Sequence, residues 1–591
     1  MTSDWWLVAS PVIRNAKLHL CVLCVLCGSV FALDREAFTF SDYKLNLQID
    51  PSQHALAVTG TVTLRNDSAT PQKNAVLQIS SSLDWQSIKL AGKPVLSTIH
   101  PYESDVDHTG SLSEAVISFQ QPIGPAQSVT LEVAYAGKIE PDGTRLERIG
   151  TPKPDALASD WDGISSDFTA FRGAGYVAWY PISQTAVNLD EPAALSRALW
   201  QWRWRERAAN LELHVQIAPA TDPTNARMLI SSGDAPTSPK ASNLDVAFHP
   251  LATRVPILVL GEFQSLQRGP LEILYFANDK ELAQRYSAAS SSAAPLIKDW
   301  FGELKRPVAL VELPAESQPY ESGPLFFESL ERIAAANESI TAAHQLAHSA
   351  FVSPRPWLQE GLAHFAGVLS VEQRSGRSSA VQYLSRLLPA LVDLEKANLS
   401  GSASPSAPDT ALANSGDDVY TRDKAIFVFW MLRDLLGDSV MRSALAKYKP
   451  EDDKEPSYFQ RLLEQEAKAA RVYPKLSLEQ FFDDWVYRDR GLPEFSVAST
   501  YTRKLVGSPN GNNYGVTVTV QNSGNAGAEV LVTITAGERE RATQRLVVPA
   551  KAQASVRLFL VNLPQQVTIN DGSVPEMDMS NNSAAVSPPP Q

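Results

Sequence analysis

Cysteine is almost missing from this sequence. Of 591 residues only Cys21, Cys24 and Cys27 carry a thiol, and all three sit in one short apolar run near the N-terminus. If export processing removes that run, the chain keeps neither disulfides nor thiolate metal ligands. Basic charge is also scarce. Lys and Arg number 52 against 65 Asp and Glu, a net charge of −13, which argues against a general nucleic-acid binder. The apolar run itself, LHLCVLCVLCGSVFA (18–32), is shorter than the roughly 20 residues a helix needs to cross a bilayer. No internal repeat stands out.

Residues 1–32 instead read as a signal peptide. Arg14 and Lys17 form its basic start, and Val30 and Ala32 satisfy the small-residue rule for cleavage before Leu33. The expectation is an exported protein, periplasmic or extracellular, with no stable membrane span once the signal is gone; a retained signal anchor is the alternative. The remaining composition, 44% hydrophobic and 20% charged, is that of ordinary globular protein. At roughly 100 to 200 residues per domain, the length suits three or four domains.

The patterning changes twice. From about 36 to 260, segments such as FTFSDYKLNLQID (38–50), ALAVTGTVTLRND (55–67) and SVTLEVAYAG (128–137) alternate apolar and polar residues, as half-buried strands do. This predicts an N-terminal antiparallel β-sandwich or saddle over 33–264. Within it, Phe171-Arg172-Gly173 and VAWYPI (177–182) read as core aromatics. Over 265–492 the period becomes helical. The segments at 279–304, 379–397 and 424–437 are expected helices, with strands at 270–278 and 307–314 and a low-complexity loop at 401–418. Strand alternation returns in NYGVTVTVQNSG (513–524) and AEVLVTITAG (528–537), predicting a small Ig-like sandwich over 493–585 and a polar tail at 586–591. The fold class is thus multidomain α+β, with a mixed α/β middle region.

The segment ITAAHQLAHSAFVSPRPWLQEGLAHFAGVL (340–369) concentrates histidine. His344 and His348, four residues apart, share one face of a helix, the spacing by which HExxH helices hold zinc. Pro354 and Pro356 suit a turn into a second helix that presents Glu360 as a third ligand. Two imidazoles and one carboxylate make an open zinc site with room for a water. His364, one turn after Glu360, is an outer-shell partner, an alternative ligand or simply a packed or surface residue. Gln345 stands where an HExxH enzyme has its general-base glutamate. A carboxamide accepts no proton.

HQLAH together with WLQEGLAHF resembles the zinc site of the membrane alanyl aminopeptidase family, peptidase family M1, whose members carry HELAH followed by WLNEGFA. VYTRDKAIFVFWMLRDLLGD (419–438) is similar to the family's YxKGxxxLxxLxxxLG helix, and FFDDWVYRDRGLPEF (481–495) to the end of its catalytic region. The resemblance implies a thermolysin-like metallopeptidase domain over 265–492 and one zinc ion held by His344, His348 and Glu360. It implies peptide or protein substrates, and Tyr420 as the hydroxyl that stabilises the oxyanion. Three features depart from the family. Gln345 replaces the base. The spacer between His348 and Glu360 is short. The family's GxMEN strand has no copy; QPYESGPLFF (318–327) stands in its place, with Glu321 the nearest candidate for binding a substrate's amino group. Three readings follow: a zinc metallopeptidase of full or reduced activity, with another carboxylate such as Glu321 acting as base; a pseudopeptidase, with or without zinc, that serves as a peptide-binding or scaffolding module; or a structural exported protein in which the HxxxH pair is incidental.

Overall fold

The computed structural model describes residues 33–589 apart from 191–193, 219–226, 235–236, 240–242, 253, 270, 306, 323–324, 400–410, 416–418, 489, 506–510 and 538. The expected signal peptide, most of the 401–418 loop and the last two residues lie outside the described residues. The architecture is mixed α/β, with several sheets and a group of helices. No helix among the described residues is long and apolar enough to cross a membrane.

Alternation produces strands where it is strongest. Phe38–Asp50 and Ala55–Asn66 bury roughly every second side chain and pair antiparallel, and Ser128–Lys138 pairs along the other edge of Ala55–Asn66. They belong to a seven-stranded sheet, accompanied by a three-stranded sheet of Gln72–Ser80, Ser111–Ile123 and Leu96–Glu103. Phe40, Tyr43, Leu77, Ile117, Trp179 and Tyr180 meet in their shared core. Two expectations need correction. The large sheet is not wholly antiparallel, because Phe38–Asp50 runs parallel to Asn210–Ile217. Parallel neighbours need a long crossover, and the intervening chain supplies one. The region is also not all strand. Ala194–Glu206 is a helix that buries Leu199 and Trp202, three residues apart and hence on one helical face.

The middle region holds a five-stranded sheet of β1 (Gln264–Arg268), β2 (Leu271–Tyr275), β3 (Val308–Glu312), β4 (Tyr320–Ser322) and β5 (Leu325–Glu328), in the order β1-β2-β3-β5-β4. The inner strands β2, β3 and β5 run parallel, and the edges β1 and β4 antiparallel to their neighbours. β3 reads VALVE and is buried throughout, as a covered parallel strand requires. Five helices matter for the site: α1 (Lys280–Phe301), α2 (Glu338–Ala350), α3 (Pro356–Ser375), α4 (Leu388–Leu399) and α5 (Ala425–Leu436). α1 packs on α2, α2 on α3, and α3 on α5. The single helix expected over 379–397 is two, Arg377–Ser385 and α4. Pro389 explains the break, since proline lacks the N–H that an interior position needs but suits a first turn.

α3 and α5 approach closely because Gly361 has no side chain. A Cβ there would lie 2.5 Å from the Ala425 Cβ and 2.7 Å from the Phe429 ring. After residue 494 two antiparallel sheets follow, Phe495–Lys504 with Tyr514–Asn522 and Gln553–Leu560, and Glu540–Val548 with Ala528–Ala536, Gln566–Ile569 and Ser583–Ala585. The Trp485 indole donates to the Gly527 carbonyl at 2.9 Å and ties them to the helices.

Candidate metal centre

α2 begins at Asn337, whose side-chain oxygen accepts from the Ser339 N–H, a standard N-cap. From Ala342 to Ala350 every residue of α2 is buried. His344 and His348 are therefore held one turn apart in a nearly solvent-free setting, with ring centroids 4.7 Å apart. The turn into α3 is fixed by Arg355, whose guanidinium meets Asp453 at 2.7 Å, and by Pro356 in the first helical turn. Gln359 then accepts from the Ser353 N–H at 2.8 Å, and its amide nitrogen meets His348 Nδ1 at 2.7 Å.

With His348 Nδ1 engaged in this way, Nε2 faces the carboxylates. Glu360 Oε2 lies 3.4 Å from His348 Nε2. Glu321 contributes more than its expected role required. One carboxylate oxygen is 2.7 Å from His344 Nε2 and the other 3.0 Å from His348 Nε2. Donor atoms of Glu321, His344, His348 and Glu360 all lie within 4.8 Å of one another. The spacing of the two histidines and Glu360 pointed to three members of this cluster. The place of Glu321 against both imidazoles had no comparable signal, because it depends on how a three-residue edge strand is seated.

Charge holds the cluster together. Burial pushes the His348 imidazole toward neutrality, but the Glu360 and Glu321 carboxylates outweigh it and raise its pKa to about 10. Burial also opposes ionisation of Glu321, yet His344 and His348 hold its carboxyl well below the usual range. Two carboxylates thus face two imidazoles around a space that favours positive charge. Two imidazole nitrogens and two carboxylates are a donor set that suits zinc.

Gln345 points its chemistry elsewhere. Its Oε1 accepts from the Tyr286 hydroxyl of α1 at 2.5 Å, while its buried Nε2 has no hydrogen-bond partner. His364 lies beside His344, ring centroids 4.2 Å apart, and its Nε2 accepts from Arg422 Nε at 3.2 Å. Burial, with His344 and Arg422 nearby, pushes its pKa well down, which keeps it neutral. Arg422 belongs to the π-helical turn Val419–Lys424, which packs on α3 and also carries Tyr420. The Tyr420 hydroxyl donates to the buried Glu395 of α4 at 3.2 Å, and Lys424 meets the same carboxylate oxygen at 2.9 Å. The oxyanion-stabilising hydroxyl expected of Tyr420 is thus engaged with a carboxylate.

No protein-family model matches the chain, and no curated protein matches it. Among solved structures it is similar to the M1 zinc metallopeptidase from Deinococcus radiodurans, at 15% identity and a TM-score of 0.45, over 78% of this chain and 96% of that one. A glutamate-to-alanine mutant of that protein matches with a TM-score of 0.44 at 15% identity, and the same mutant bound to a Tyr-Ser-Ala substrate with 0.43 at 16%, each over the same shares of the two chains.

Proposed function

We propose that this chain is an exported zinc-binding protein of the M1 metallopeptidase type that acts on peptides or proteins, with weak hydrolytic activity. The convergence of Glu321, His344, His348 and Glu360 within 4.8 Å carries this reading. His344, His348 and Glu360 would hold the ion. Zinc, when bound, supplies Lewis-acid polarisation of a scissile carbonyl and acidifies a water near neutral pH.

The protein must supply a base. Gln345 cannot serve, since its amide takes no proton. Glu321 is the carboxylate beside both histidines that is not already assigned as a ligand in the HxxxH–Glu pattern, and it would take a water's proton, as a weak base because His344 and His348 hold its carboxyl well below the usual range. A base on an edge strand rather than on the histidine helix is the reason to expect low turnover. Tyr420 reaches a substrate oxyanion only after its hydroxyl leaves Glu395.

The second reading, a pseudopeptidase that binds peptides without cleaving them, is favoured by the Tyr286–Gln345 bond, which occupies the side chain at the base position. One experiment separates the readings. Purified mature protein is measured for zinc and assayed on amino-acid anilides and longer peptides. Zinc at one per chain, lost in His344→Ala, with slow turnover lost in Glu321→Gln, supports the peptidase. Zinc without turnover supports the pseudopeptidase. Absence of zinc refutes the peptidase, and turnover indifferent to His344→Ala refutes both.

A further inference from the structure

The sequence segment Phe171-Arg172-Gly173 reads as core, and Phe171 is core. Arg172 is not packed as a core residue. Its side chain is 2% exposed, yet it is charged, so its burial must be compensated. Asp162 compensates it, meeting Nη2 at 2.6 Å and Nε at 3.1 Å, and Nη2 also donates to the Ser159 carbonyl at 2.7 Å. Aromatic rings box the guanidinium: Tyr176 at 3.5 Å from its centroid, Trp161 at 4.0 Å and Tyr320 at 5.2 Å. Tyr176 and Tyr320 also meet edge to face at 5.2 Å.

Tyr320 is the first residue of β4, and Glu321 is the second. β4 has three residues and one neighbour, β5, so its ladder alone is a weak hold. Other contacts fix it from the same side. Gln318 N donates to the Ala158 carbonyl at 2.8 Å, Trp161 Nε1 donates to the Gln318 carbonyl at 3.1 Å, and Ser322 Oγ donates to the Val255 carbonyl at 2.9 Å. Side chains alternate along a strand. Tyr320 and Ser322 therefore face the 158–176 and 255 segments, and Glu321 faces the histidines.

We infer that Arg172 is a positioning residue for Glu321: clamped by Asp162 and boxed by aromatic rings, it seats the edge strand whose next residue sets a carboxylate against His344 and His348. Glu321 is thus placed from the N-terminal β-region, remote in sequence from the histidine helix.

The zinc readout rests on the proposed function, so the test has two layers. Zinc affinity is measured by chelator competition in the wild type, Arg172→Met, Glu321→Gln and the double variant. Arg172→Met is expected to weaken zinc by about 10-fold or more, because it misplaces a carboxylate that lies against both ligand imidazoles and balances the ion's charge. If Arg172 acts through Glu321, the double variant binds no more weakly than Glu321→Gln alone. Additive losses overturn the inference, as does unchanged affinity in Arg172→Met. Should Arg172→Met fail to fold, Tyr320→Leu enters the same cycle with the same expected outcome. If the wild type takes up no zinc, the functional reading fails but this one is still decided. The imidazole ¹⁵N shifts of His344 and His348 in Arg172→Met should then match those of Glu321→Gln, and wild-type shifts in that variant refute the positioning role.

Discussion

The Tyr286 hydroxyl and Gln345 Oε1 lie 2.5 Å apart in a buried contact between α1 and α2. A tyrosine donating to a carboxamide oxygen takes one of its two lone pairs, and the amide nitrogen can only donate. The same hydroxyl can donate to a carboxylate oxygen, so the surroundings that hold glutamine also accept glutamate.

Gln345→Glu is accordingly expected to fold and to gain function. With zinc present, peptide hydrolysis should rise by about 10²-fold or more, the usual contribution of a positioned general base. Steady-state rates on anilide and peptide substrates check this. An unchanged rate would place the deficit elsewhere, most directly at Tyr420.

Zinc should stabilise the fold. At a free concentration 100 times its dissociation constant, it should contribute about 2.7 kcal/mol. Thermal scans with zinc and with a chelator should differ in the wild type and coincide in His348→Ala.

Glu206 sets a pH dependence unrelated to the metal. Its buried carboxyl is pushed up to about 8 by burial, against the opposing pull of Arg205. A raised folded pKa means the native state binds the proton more tightly than the unfolded chain. The stabilisation is complete below the ordinary glutamate pKa and is lost as pH rises toward 8. Glu206→Gln should remove that slope and leave the variant more stable than the wild type above pH 8. Denaturant midpoints at pH 5 and pH 9 check it.

Gly361→Ala forces a methyl group into the 2.5 Å gap against Ala425. Overpacking of this kind costs about 1–3 kcal/mol. Because Gly361 follows Glu360, zinc affinity should fall along with the melting temperature. A drop in stability alone would show that α3 absorbs the clash without moving Glu360.

The two histidine helices were legible because a four-residue spacing, a proline turn and a Trp-Leu-Gln-Glu start all act within one short window. The alternating strands at 38–66 and 513–536 were legible for the same local reason. What the sequence hid is non-local. The parallel pairing of Phe38–Asp50 with Asn210–Ile217 joins segments far apart in the chain. The helix at Ala194–Glu206 is rich in tryptophan and arginine and lacks a clear apolar period. Glu321 reaches the histidines only through tertiary seating of β4. Arg172 looked like part of an aromatic core because its partners Asp162 and Tyr320 carry no local signature.

The change of patterning at residue 493 is a change of secondary structure but not a break in the interior. One continuous apolar cluster runs from Leu271 through the helices to Val586, while Ala37 to Leu260 supply a second and a third joins Trp161 and Val259 to Leu274 and Phe327. Cooperativity follows continuity of the core rather than strand and helix content. The terminal sheets and the helices that hold the histidines should therefore melt together, as a single calorimetric unit. A lesion in the last ninety or so residues would loosen the metal centre without touching any of its ligands.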